Sequence, residues 1–474
     1  MPPLVFSLIF LAIYFLSAAS LNAQNPPAKR ALIISLDGLD VRYLAEPDKY
    51  ALKIPTLRRL MANGVTARGV YSVYPSVTYP NHTSLVTGVK PAIHGIFGNS
   101  LFEPPVPKPT GAGNWYARDI KADTLWQAAK RSGMTVGLVS WPVGVGAGDW
   151  NMPEIWAPGG TQMDTRKVIS QNSLPAGLPA EIEGKYRDLY RNVTADEGDD
   201  ARTRIGEYIL TEKRPNVMLI HLFDLDHFQH DYGPFTPEAH SAIEKSDAYV
   251  ARLLAALERA GTLNETAVFI TSDHDFKPIS RQVHPGVLLR KAGLVDGTIE
   301  KDESSRERFV ATDWKAAVYV TGASCAIYLR DSSDKASMKA LRETFEPLAG
   351  KPDSGIAKVL DARALKRIGS NTSATLMLEA AEGFTFGGSY SGEPIVASLS
   401  KGMHGYLPTT PDFFASFIAS GAGISGRGWI GLMEMPDAGT TIAAVIGLKL
   451  KNATGKPANL LNAKKNVERR ANLR

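Results

Sequence analysis

The chain is 474 residues long, with 53 basic and 48 acidic side chains and a formal net charge of +5. That length holds two or three domains' worth of core, and so mild a charge carries no nucleic-acid-binding signature. The single cysteine, Cys325, excludes an intrachain disulfide and a thiolate cluster, so any metal must take His and carboxylate ligands.

Leu4 to Leu16 is apolar but short for a membrane span, and small residues follow at Ser17, Ala18, Ala19 and Ala23. This reads as a signal peptide over residues 1–23, a linker over 24–30, and export to a periplasm or out of the cell; an uncleaved membrane anchor is the alternative. Ala31 to Leu36 is a continuous apolar run of strand length that ends in Asp37-Gly38. Buried parallel strands look like this, and α/β proteins place ligands beyond their carboxyl ends. A helix is predicted over 54–63 and a strand over 65–73, leading into Tyr74-Pro75-Ser76-Val77-Thr78-Tyr79-Pro80-Asn81-His82. The two prolines hold Tyr74 and Tyr79 extended, and Pro80 suits the first turn of a short helix over 81–87. Thr78, just before it, lies where free N–H groups and the helix dipole favour an anion. Its hydroxyl suits a nucleophile if something removes the proton, and equally suits a helix cap. Asn99 offers its amide to a phosphoryl oxygen, or is a plain turn residue.

Further on, a helix is expected over 124–132, a strand over 135–140, an irregular surface loop over 144–165 and a helix over 201–212. A strand over 216–223 runs into the acidic, His-rich segment Asp224 to Pro234, followed by a long helix over 237–260. A strand over 266–271 ends in Ser272-Asp273-His274-Asp275. Strand, polar residue, helix recurs, which predicts a doubly wound, mostly parallel α/β sheet flanked by helices, with its chemistry on one edge. Residues 31–289 form the first part of that domain. Residues 290–400 break the rhythm and read as a small inserted α+β cap, with strands over 316–319 and 325–330 and a helix over 335–348. Residues 401–450 return to the main domain, with His404 in a tight Gly turn, a strand over 413–420 and a helix over 440–448; 451–474 is a basic tail.

Asp37, Thr78, Asp226, His230, Asp273, His274 and His404 all sit beyond strand ends or in tight turns. Three carboxylates and three imidazoles suit two divalent ions, zinc favoured by the histidines. Such a pair clamps in-line displacement at phosphorus. Each residue alone has a structural reading: Asp37 as a cap, Asp226 and His230 as a helical ion pair, Asp273-His274 as a turn. The other six histidines, His221 among them, are read as structural.

In this order the residues resemble those of the alkaline phosphatase superfamily, above all its nucleotide pyrophosphatase/phosphodiesterase branch. The stretches that match are Leu36-Asp37-Gly38, Tyr74 to His82, His94-Gly95-Ile96 through Asn99, Trp141-Pro142, Asp226 to His230 with Tyr232-Gly233-Pro234, Ser272-Asp273-His274 and His404-Gly405-Tyr406. The resemblance spans about residues 31 to 445 and implies an alkaline-phosphatase-like fold. It implies one zinc held by Asp37, Thr78, Asp273 and His274, and a second by Asp226, His230 and His404. Thr78 would form a phosphothreonine, Asn99 and the Tyr79 N–H would stabilise phosphoryl oxygens, and the Tyr79 ring would stack on a small-molecule or nucleotide substrate. The implied activity is that of a phosphodiesterase or nucleotide pyrophosphatase. A phosphomonoesterase, a phosphonate hydrolase, a phosphosugar mutase and a non-catalytic metal-stabilised binding protein are the alternatives. The chain departs from the branch in three places. His221 replaces a tyrosine, with Phe223 as a substitute stacking ring; Asp275 replaces a glycine; and Ser140 to Val143 lacks the basic pair with which monoesterases grip the extra phosphate charge, which favours diesters.

Overall fold

In the computed structural model, which describes residues 27–106, 109–187, 189, 198–301 and 307–460, the apolar runs build one eight-stranded sheet. In chain order its strands are β1 (Arg30–Leu36), β2 (Val65–Ala67), β3 (Val136–Val139), β4 (Trp150–Met152), β5 (Val217–Leu222), β6 (Thr266–Thr271), β7 (Phe417–Gly421) and β8 (Gly428–Ile430). In space they lie β8-β2-β7-β6-β1-β5-β3-β4. β7 pairs antiparallel with β6 and β2, and every other pairing is parallel.

Side chains alternate across a strand, and both faces of this sheet are covered. Ala31 and Ile33 enter one core cluster with Trp126, Phe417 and Ile442. Leu32, Ile34 and Leu36 enter another with Ile243, Leu253 and Ile205. Two dry faces explain why the strand reads as an unbroken apolar run, and each of its Leu and Ile side chains contributes about 1.5–3 kcal/mol by burial. β1 is central, with β5 and β6 in register on either side: Leu36 lies beside Leu222, and Ser35 beside Thr271. Asp37, the segment after Leu222 and the segment after Thr271 therefore emerge together at one edge.

Beyond the sheet, Ala316–Thr321, Ser324–Leu329, Leu376–Ala380 and Ile356–Asp361 form an antiparallel four-stranded sheet. The helix Lys335–Phe345 contributes Leu341 and Phe345 to its separate core. A further small sheet forms around Lys277–Val283, which pairs with Gly383–Phe386, Ile395–Ala397 and Gly402–Met403. The expected border at 289/290 falls inside the helix Pro285–Lys291.

Three expectations are corrected. Residues 144–165 are not wholly irregular: Trp150–Met152 adds β4 beside β3, and a helix starts at Gln162. The strand expected over 413–420 begins at Phe417, because Phe413 packs into the core of the smaller sheets, and the following helix runs Met435–Val445. The basic tail is partly packed: Thr454 and Gly455 donate to the Gly88 carbonyl, and Leu460 is buried. The expected signal peptide and residues 461–474 lie outside the described residues. Among those described, no helix is long and apolar enough to cross a membrane.

Candidate active site

Helix α1 (Thr78–Thr87) starts three residues earlier than expected. Pro80 fits because the N–H it lacks has no helical partner in the first turn. Thr78 is the first helical residue and 7% exposed, and no side-chain hydrogen bond caps the helix, so the capping role is not the one it plays. The turn is anchored on both sides. Ser76 Oγ donates to the Tyr406 carbonyl (2.6 Å), Ser72 Oγ donates to the Asp273 carbonyl (2.7 Å), and the Val73 N–H donates to Asn81 Oδ1 (2.7 Å). His82, one turn on, bridges the Thr78 carbonyl (2.9 Å) and Ser35 Oγ (2.8 Å) through its two ring nitrogens.

Asp37 follows β1, and Asp273 and His274 follow β6. Asp37 Oδ1 lies 3.2 Å from His274 Nε2, and Asp273 Oδ2 lies 3.1 Å from the same nitrogen. The Gly38 N–H donates to Asp273 Oδ1 (3.2 Å). Gly38 has φ +68°, and a Cβ there would come within 2.6 Å of the Phe276 ring, so only glycine fits between Asp37 and this packing.

After β5, Asp226 and His230 share one face of helix α2 (Asp224–Tyr232). Asp226 Oδ2 is 3.5 Å from His230 Nε2, and Asp226 Oδ1 is 3.6 Å from His404 Nε2. The pairing of Gly402–Met403 with Lys277–Pro278 brings His404 back to β6, where its ring stacks on His274 at 3.7 Å. His230 Nδ1 donates to the Gly402 carbonyl (3.1 Å) and His404 Nδ1 to the Ser76 carbonyl (3.2 Å). Each bond fixes the tautomer that leaves Nε2 as a lone-pair donor, the usual setting of a metal ligand.

The six metal-type residues are thus brought together. Ligand atoms of Asp226, His230 and His404 lie within 4.8 Å of one another, as do those of Asp37, Asp226 and His274. Asp37 Oδ1, Asp226 Oδ1, Asp273 Oδ2 and both ring nitrogens of His274 are buried without hydrogen-bond partners. Buried polar atoms are normally paired, so this donor set fits divalent cations. The electrostatics agree. Burial, then Asp273 and Asp226, raises the Asp37 carboxyl well above its usual range. Burial raises Asp273 to about 6, with Asp226 adding to the rise and His221 opposing it. Burial and the neighbouring His404 and His230 hold His274 neutral, and His404 is lowered to about 4 chiefly by burial. Crowded carboxylates facing neutral imidazoles are what a cation relieves.

Other expectations fare differently. Asn99 Oδ1 accepts the Tyr79 N–H (3.0 Å), which orients the Asn99 amide and occupies the N–H expected to face a phosphoryl oxygen. The Tyr79 ring, expected to stack on a substrate, has almost no free surface to offer one. It is 1% exposed, packed with Ile96, Trp115 and Val145, and its hydroxyl donates to Glu154 Oε1 (2.9 Å). Phe223 is half-buried, with the Arg202 guanidinium 3.3 Å from its ring centroid, so one ring face is already taken. Asp275 is not in the left-handed region; its carboxylate accepts the Phe276 N–H and pairs with Arg42 at 3.3 Å, beside Asp40. His221, read as structural, lies in the site. Its Nε2 is 2.9 Å from Asp37 Oδ2 and its Nδ1 is 3.1 Å from Glu154 Oε2. Burial alone would lower it, but hydrogen bonds to Asp37 and Glu154 raise it to about 10. Its place on β5 beside Ser35 was the available signal; nothing in the sequence pointed to Glu154.

Fold and cluster together define an alkaline-phosphatase-like α/β protein with a cation-binding type of site at the carboxyl edge of its sheet. The chain belongs to the type I phosphodiesterase/nucleotide pyrophosphatase family, whose model matches residues 31–407. It is 26% identical over 283 residues to human ectonucleotide pyrophosphatase/phosphodiesterase family member 5, covering 58% of this chain and 51% of that protein. It is 25% identical over 261 residues to human family member 1, covering 53% of this chain and 24% of that protein. The chain thus spans about half the length of the first and about a quarter of the second. Murine ectonucleotide pyrophosphatase/phosphodiesterase 5, solved as an inactive variant in complex with AMP, superposes with a TM-score of 0.62 at 20% identity over 90% of this chain and 97% of that one. The human counterpart gives 0.61 at 20% identity with the same coverage. Both share the fold.

Proposed function

We propose that this chain is an exported, metal-dependent hydrolase of phosphate esters that cleaves diesters or nucleotide pyrophosphates through Thr78. The observation that carries this reading is the set of buried, unpartnered ligand atoms on Asp37, Asp226, Asp273 and His274 beside a helix that opens on a threonine. Asp37, Thr78, Asp273 and His274 would hold one zinc ion, and Asp226, His230 and His404 a second. Such ions supply a lowered pKa at the attacking oxygen and positive charge at the leaving oxygen.

The chain's own residues do the rest. The anchored turn holds Thr78 Oγ1 still at the N-terminus of α1, where the helix favours the charged phosphoryl group. Oγ1 attacks phosphorus, the bond to the leaving oxygen breaks, and that oxygen departs as an alcohol or a nucleotide phosphate. Water then hydrolyses the phosphothreonine and restores the hydroxyl. Asn99, held by the Tyr79 N–H, keeps its amide N–H groups for a phosphoryl oxygen. The turn from Ser140 to Val143 carries no cation and adjoins Glu154, which supports diesters over dianionic monoesters. The relatives' names, ectonucleotide pyrophosphatase/phosphodiesterase, support nucleotide substrates and export; AMP in the murine structure supports a nucleoside monophosphate as product.

The test compares initial rates on p-nitrophenyl phosphate with those on bis-p-nitrophenyl phosphate and thymidine 5′-p-nitrophenyl phosphate, with metal content measured on the same sample. Preference for the diesters with two zinc per chain is expected. Preference for the monoester would overturn the diester reading.

A further inference from the structure

We infer that His221 and Glu154 form a buried bracket that fixes the Asp37 carboxylate, so that it offers a single oxygen to a metal ion. This rests on the metal-dependent reading above. The His221 side chain is 1% exposed and Glu154's is 16% exposed. His221 Nε2 lies 2.9 Å from Asp37 Oδ2, and a ring nitrogen that faces a carboxylate at that distance donates to it. On its other side, Nδ1 faces Glu154 Oε2 at 3.1 Å and the Ser140 carbonyl at 3.2 Å. Glu154 is itself held, because its Oε1 accepts the Tyr79 hydroxyl at 2.9 Å.

The two oxygens of Asp37 are therefore unlike. Oδ2 is taken by His221, whereas Oδ1 is buried without a hydrogen-bond partner, 3.2 Å from His274 Nε2. A carboxylate free to turn could chelate with both oxygens; this one is locked with one. Tyr79 is also the residue after Thr78, so the chain Tyr79–Glu154–His221–Asp37 ties the start of the nucleophile's helix to a ligand of the ion expected to activate it. His221 and Glu154 are positioning residues, acting through Asp37. Outer hydrogen bonds of this kind typically set metal affinity by 10–100-fold.

The test uses the full chain and its His221→Leu, His221→Gln and Glu154→Gln variants. Zinc is stripped by dialysis against a chelator and titrated back against a competing chromogenic chelator, and each metal-free protein is melted. His221→Leu is expected to weaken one of the two zinc sites about 10–100-fold and to leave the other near wild type, while the metal-free melting temperature falls because Asp37 and Glu154 lose their shared partner. Gln carries an amide N–H that reaches toward Asp37 Oδ2, so His221→Gln should recover most of that affinity. Glu154→Gln should weaken the same site by less. Wild-type affinity at both sites in His221→Leu would overturn the inference. So would equal weakening of both sites, the mark of a purely structural role. Should His221→Leu fail to fold, unchanged zinc affinity in Glu154→Gln would overturn it. A wild-type chain that takes up no zinc would instead overturn the metal reading itself.

Discussion

Glu379 is a buried acid outside the cluster, and replacing it should change how stability depends on pH. It lies on the strand Leu376–Ala380, where Oε1 accepts the Leu407 N–H (2.7 Å) and Oε2 accepts the Tyr74 hydroxyl (2.9 Å). It thereby joins the segment that leads into Thr78 to the segment that follows His404. Burial raises its pKa from 4.5 to about 8, against the opposing effect of those two hydrogen bonds and Lys358. A raised acid binds its proton more tightly in the folded chain, so folding is favoured below about 4.5 and loses stability as pH climbs toward 8. At 1.36 kcal/mol for each pKa unit, the loss reaches about 3 kcal/mol by pH 7 and about 5 kcal/mol above pH 8. In Glu379→Gln the amide oxygen still accepts from Leu407 and the amide N–H reaches the Tyr74 oxygen, without a charge to desolvate. The variant should match wild type near pH 5 and melt higher at pH 8.5. A cooperative unit of this size moves roughly 1 °C per kcal/mol, so the expected gain is about 5 °C. Differential scanning calorimetry of both proteins from pH 5 to 9 measures it. Parallel curves, or a variant less stable at pH 8.5, would refute the reasoning.

Thr78→Ala should lower turnover by on the order of 10⁴-fold or more, as removal of a nucleophile does, while zinc content stays near normal. Retention of most activity would exclude the covalent route. His404→Ala should leave one zinc per chain, read by atomic absorption, because among the described residues His404 groups with Asp226 and His230 and not with Asp37 and His274. Stripping zinc should lower the melting temperature, and zinc restored at about 100 times its dissociation constant should return about 2.7 kcal/mol; no shift would mean that the ligand atoms are satisfied without a cation. Gly38→Ala forces a Cβ into Phe276 at positive φ and should cost about 1–3 kcal/mol, seen as a lower midpoint in thermal melts.

The inner strands of the main sheet were legible because they are dry on both faces, whereas the short edge strands β4 and β8 were not read from the sequence. Thr266 to Thr271 stands where the apolar run placed it, and the polar residues after each run mark the carboxyl edge. The metal-type residues were legible for a related reason. Asp37 directly follows β1, and Asp273 and His274 come within three residues of the end of β6, so strand ends locate them without knowledge of the packing. The start of α1 was misplaced because a proline marks a helix's first turn without saying which position in that turn it takes, and Pro80 is the third residue of the helix.

What the sequence hid lies in contacts between distant segments. Tyr79 seemed free to stack because it adjoins Thr78. Its ring is instead buried in part by Val145 and Ile155, whose segment looked irregular and exposed. The same segment supplies Glu154, 67 positions before the His221 it holds. A histidine in the middle of an apolar strand looks like a satisfied core residue, and this one is satisfied, but by a carboxylate that the site needs. The histidine at position 221 and the acid at position 154 belong together: raised to about 10 by Asp37 and Glu154, the imidazole carries an N–H on each nitrogen and donates to both carboxylates, where a tyrosine hydroxyl has one proton to give.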